Sequence, residues 1–106
     1  MKTIKEWNDT LVEMTKGTDY GVLAKTDICS PVVAIVPKGS NTPQRIAIYP
    51  KKTQNAGLVF EKDVFQIPRV RELMGEPTRI KGNRPHYYNI PDQTILEVCK
   101  AFLTRN

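Results

Sequence analysis

Residues 79 to 88 carry most of the side chains in this chain that could do chemistry. They read Arg79-Ile80-Lys81-Gly82-Asn83-Arg84-Pro85-His86-Tyr87-Tyr88. Three cations around a glycine, followed by a histidine and two tyrosines, pair phosphate-neutralising groups with rings on which bases stack. That combination suits single-stranded nucleic acid. Arg69 and Arg71 lie on a predicted helix just upstream, where they would flank one edge and extend the cationic surface. The candidate anion-binding set is Arg69, Arg71, Arg79, Lys81 and Arg84 for charge, with His86, Tyr87 and Tyr88 for stacking or hydrogen bonding. The plainer reading of the same residues is a solvated basic loop whose tyrosines complete the core.

Catalytic readings find less support. His86 is the only histidine, and as a base or metal ligand it would need partners that sequence cannot place. Cys29 or Cys99 could serve as a nucleophile with His86 as base, but Cys99 falls on an apolar helical stripe, where cysteine behaves as a small hydrophobe. Glu61 and Asp63 alternate at a predicted strand end and could pair as acid and base or hold magnesium. A metal-dependent nuclease would want Glu-x-Lys, which occurs nowhere in the chain. Phosphate-loop, G-x-G-x-x-G and G-x-S-x-G motifs are also missing. No catalytic residue, metal ligand or cofactor is therefore assigned, and the expectation is a non-enzymatic protein.

Composition narrows the partner. With 106 residues, 40% hydrophobic and 25% charged, the chain fits one globular domain. A net charge of +5 favours an anionic partner, nucleic acid or an acidic protein surface, and equally serves solubility. Two distant cysteines without C-x-x-C spacing indicate neither a disulfide scaffold nor a metal site. Met1-Lys2-Thr3-Ile4-Lys5-Glu6 lacks the apolar core of a signal peptide, and no apolar run is long enough to span a bilayer. A cytoplasmic protein without a membrane partner is expected.

The elements that must position these residues centre on Pro31 to Lys52. One phrase occurs there twice, as Ala34-Ile35-Val36-Pro37-Lys38 and Ala47-Ile48-Tyr49-Pro50-Lys51. Each is a β-branched run stopped by proline, and the turn residues Gly39-Ser40-Asn41-Thr42-Pro43 lie between them, so an antiparallel hairpin is predicted. Val33, Ile35, Ile46 and Ile48 form its core face. Ala34, Val36, Ala47 and Tyr49 form a second, mostly apolar face that needs either a helical cover or a partner. Before the hairpin, Thr3 and Glu6 have capping-box spacing, and Ile4, Trp7, Leu11 and Met14 recur on one helical face ended by Lys16-Gly17.

Tyr20 to Thr26 is a weaker strand and Leu58-Val59-Phe60 a firmer one. Pro68 to Met74 is a short helix stopped by Gly75, and Glu76 to Pro85 reads as irregular. His86 to Ile90 is a last strand, and Pro91-Asp92 opens a helix with the stripe Ile95, Val98, Cys99, Phe102 and Leu103. The order predicts an α+β fold: an antiparallel sheet of about four to five strands, N- and C-terminal helices and a short middle helix. Two layers suit this length better than three. Trp7 and Leu11 should thus share a core with Val98 and Phe102 over Ile35 and Ile48.

The second two-thirds of the chain resembles the MmcQ/YjbR group of small bacterial domains. The likeness rests on the strand pair Val32–Val36 and Arg45–Tyr49, the short helix, then Arg84, His86 and Tyr87, and a closing helix from Pro91-Asp92. The resemblance implies a CyaY-like fold, and some members are described as DNA-binding. The leading expectation is a small binding domain for an anionic partner, nucleic acid first. The alternative is a protein-interaction or inhibitor module, accessory or phage-encoded, that pairs or homodimerises through the apolar hairpin face.

Overall fold

The structure, a computed structural model, describes residues 1–105. Helix α1 spans Ile4–Thr15 and begins at a capping box: the Glu6 amide donates to the Thr3 hydroxyl at 3.2 Å and the Thr3 amide to the Glu6 carboxylate at 2.8 Å. Two otherwise orphaned amides of the first turn are thereby satisfied. Strands β1 (Tyr20–Lys25), β2 (Val32–Pro37), β3 (Ile46–Tyr49) and β4 (Ala56–Phe60) follow. Then come a single turn α2 (Lys62–Phe65), helix α3 (Pro68–Met74), strands β5 (Arg79–Lys81) and β6 (Arg84–Ile90), and helix α4 (Asp92–Leu103). The strands make one antiparallel sheet in the order β1-β2-β3-β4-β6-β5. The fold is α+β, with terminal helices and a short middle helix, as the element order implies.

Six strands form where patterning predicts four to five. The addition is β5, inside the stretch expected to be irregular. Lys81 and Arg84 pair across Gly82-Asn83, whose φ angles are +59° and +65°. Two positive φ values define a type I′ turn, which twists in the sense that antiparallel strands require. Arg79, Ile80 and Lys81 are all exposed, so β5 has no hydrophobic alternation to announce it. Only the turn dipeptide did.

All four helices contribute to one core against one face of the sheet. Trp7 and Leu11 of α1 and Val98 and Phe102 of α4 join Ile35 and Ile48 there, the shared-face arrangement expected from two-layer packing. Val64 of α2 and Val70 of α3 belong to the same cluster. The beginnings of the chain and of α4 are tied together, with the Lys2 amide donating to Asp92 Oδ2 at 2.7 Å.

The opposite sheet face carries its own apolar centre of Val32, Ala34, Val36, Ala47 and Val59, with Leu23 and Tyr49 packed against it. Ala34 lies directly across from Ala47, so the repeated phrase places its two smallest side chains together. No helix of the described residues contributes to this cluster, yet no member is more than 8% exposed. The centre of this face is closed by its own side chains rather than by a helical cover, while Leu23 and Tyr49 at its margin are only partly buried.

Candidate nucleic-acid interface

Strand register decides which of the candidate residues meet. In β6, Tyr87 pairs with Leu58 and joins the helical core, while His86 pairs with Val59 on the helix-free face. Arg79 lies across from His86, and Lys81 across from Arg84. Side chains alternate along a strand, so Arg79, Lys81, Arg84, His86 and Tyr88 all project from the helix-free face. A β-bulge completes the arrangement. Ala56 pairs with Ile90 while Leu58 pairs with Tyr87, which leaves Tyr88 and Asn89 opposite Gly57 alone. Asn89 absorbs the extra residue at φ +56°, and its side-chain oxygen accepts from the Asn55 amide at 3.2 Å. The bulge lets Tyr87 and Ile90 both serve the core while Tyr88 stays on the other side.

This cluster is electrostatically uncompensated. Burial, then the charges of Arg79, Arg84 and Lys81, hold His86 below the ordinary imidazole range, so it is neutral at pH 7. Among the described residues none of these three cations has a carboxylate partner, and Arg84 Nε is buried with no acceptor. Lys81 directly opposite Arg84 is a like-charge pair, which costs stability unless an anion lies between them. Glu61, just past β4, is neutralised by Arg45.

Beside the cations is a depression of about 170 Å³ lined by Tyr49, Gly57, Val59, His86 and Tyr88, with Ser30 and Lys51 at its margin. Ser30 and Lys51 also border a larger concavity of about 700 Å³, along which Lys2, Lys5 and Lys52 lie. Alternation in β3 places Tyr49 on the second face, but its position across Gly57 from Tyr88 depends on the pairing of β3, β4 and β6. Nothing in the local sequence marks Gly57 or Lys51 as part of the same site.

Three expected members lie elsewhere. Arg69 and Arg71 flank Val70, which points into the core, so both belong to the outer side of the helical layer. Arg69 pairs with Glu72, and Arg71 Nη2 donates to the Gln66 carbonyl at 3.0 Å. They do not extend the cationic face, because α3 packs on the other side of the sheet. Tyr87 is only 3% exposed; its hydroxyl donates to the Gly75 carbonyl at 2.7 Å, and burial pushes its pKa up to about 12. It completes the core and cannot stack on a ligand.

Cys99 is fully buried, and its thiol is pushed up to about 12, far from a nucleophile's range. Glu61 stands at the N-cap position of α2 and Asp63 lies within that turn, rather than alternating along a strand as their spacing suggests. Among the described residues no group of three or more His, Cys, Asp or Glu is placed to hold a metal ion. Among the described residues no helix is long and apolar enough to cross a membrane. Compared with protein-family models, curated proteins and solved structures, the chain matches none.

Proposed function

We propose that this protein is a nucleic-acid-binding domain whose contact surface is the helix-free face of its sheet, centred on β5 and β6. The observation that carries this reading is the convergence of Arg79, Lys81 and Arg84, all without carboxylate partners among the described residues, around His86 on one face. Cations arranged this way repel one another until an anion is supplied, and a chain of phosphates supplies several at once. Tyr88, 48% exposed beside them, offers a ring to a base.

The rival reading needs an apolar patch for a protein partner or a second copy, and most of the expected one is buried, with Tyr49 half-buried at its edge. Val36 and Ala47 are 2% and 1% exposed, and the exposed large apolar residues Met1, Val12, Ile28, Ile80 and Tyr88 come from separate segments. A largely buried apolar centre flanked on its β6–β5 side by cations suits a polyanion better than a hydrophobic partner.

The test is a titration of labelled single-stranded and duplex DNA against the purified protein at low salt, repeated as salt is raised. Binding that weakens linearly on a log–log salt plot is expected. Absence of binding to either form at low salt overturns the reading.

A further inference from the structure

We infer that the depression between Tyr49 and Tyr88 is a slot for one unpaired nucleobase, which makes the ligand single-stranded rather than duplex nucleic acid. This deepens the nucleic-acid reading and rests on it. Gly57 is the central observation. It pairs with Tyr49 of β3 on one side and faces the Tyr88 bulge of β6 on the other. The two tyrosines therefore stand on strands separated by two inter-strand spacings, about 9–10 Å. A flat ring held between two others requires two van der Waals separations, about 7–8 Å in all, so side chains rising from those strands need lean inward only slightly. Glycine leaves the floor open: a Cβ at position 57 would come within 3.6 Å of the Tyr87 carbonyl and 3.8 Å of Tyr49 Cβ, in the space a base edge would use.

Polar groups surround the slot where a nucleotide needs them. His86, held neutral by burial and then by its cationic neighbours, lines the wall and offers both a ring donor and a ring acceptor to a base edge. Along the strand direction Arg84 lies beyond His86 at one end of the slot. Lys51 borders the other end, where the lysine-lined concavity continues. A strand threading this line keeps phosphates at both ends with one base inserted between the rings. A duplex cannot supply that base without unpairing it.

The experiment compares three fluorescein-labelled ligands of equal length: single-stranded oligodeoxythymidylate, a DNA duplex, and an abasic phosphodiester oligomer. Binding is measured to the wild type and to Tyr88→Ala, Tyr88→Phe and Tyr49→Ala. Tyr88 is half exposed, so its replacement leaves the core intact, and a urea melt of each variant checks this. Expected results are preference for the single strand over both other ligands, about tenfold weaker single-strand binding by Tyr88→Ala and Tyr49→Ala, and retention by Tyr88→Phe. Equal affinity for single strand, duplex and abasic oligomer, unchanged by Tyr88→Ala, overturns the slot and leaves the nucleic-acid reading standing. No binding to any of the three overturns both.

Discussion

Replacing Arg84 by alanine separates a binding residue from a structural one. Among the described residues Arg84 has no carboxylate partner, its Nε is buried without an acceptor, and it faces Lys81 across the hairpin. Truncation loses the packing of the side-chain stem but removes both an unsatisfied donor and a like-charge neighbour. These effects oppose one another, and the net change in stability should stay within about 0.5 kcal/mol. The effect on binding should be plain. If Arg79, Lys81 and Arg84 each neutralise one phosphate of a single strand, log affinity falls with log salt at a slope of about −2.1; without Arg84 it should be about −1.4. From about 50 to 200 mM salt the wild type should then lose roughly twentyfold in affinity and Arg84→Ala roughly sevenfold. Urea melts give the first quantity and salt-dependent titrations the second. Should Arg84→Ala unfold the domain while affinity and slope per folded molecule stay as in the wild type, Arg84 is a structural residue and the interface is misplaced.

Phe102→Ala should cost about 3–5 kcal/mol in a denaturant melt, because it removes a fully enclosed ring packed edge-on against Tyr20 at 4.9 Å between centroids. His86 sits below its unfolded pKa of 6.5, so its contribution to stability is fully present above pH 6.5 and lost as pH falls through the lowered folded value. His86→Gln should flatten that acid-side decline in Tm. Since a phosphate beside His86 favours its protonated form, wild-type affinity for single-stranded DNA should rise as pH falls from 7.5 toward 6, and His86→Gln should abolish the rise. A thiol-reactive reagent should titrate one cysteine in the native protein, the exposed Cys29, and a second only in denaturant, where the buried Cys99 is released.

Local chemistry in the sequence is enough to place α1, the hairpin of β2 and β3, α3 and α4. Each is specified by contacts within a few residues: the Thr3–Glu6 capping box, the period-two alternation of Val33 to Ile35 and Ile46 to Ile48, and Pro68 opening a helix that Gly75 ends. The two-faced hairpin is legible for the same reason, since alternation alone assigns Ala34, Val36 and Ala47 to the side away from the helices. Strand β5 escapes such reading because it buries nothing; a turn of two positive-φ residues and pairing to β6 hold it in place. Arg79, Lys81, Arg84, His86 and Tyr88 are legible as candidates from the sequence, but which of the set share one face depends on tertiary structure. Pairing with Leu58 turns Tyr87 into the core and Tyr88 to the helix-free face, the bulge at Tyr88 and Asn89 returns Ile90 to the core side, and packing of Val70 carries Arg69 and Arg71 to the other layer. Tyr49 and Tyr88, far apart in the chain, become neighbours across Gly57 only once β3, β4 and β6 have paired. Periodicity reports which side of its own strand a residue occupies; which residues share that side across strands is settled by register, a long-range property of the folded sheet.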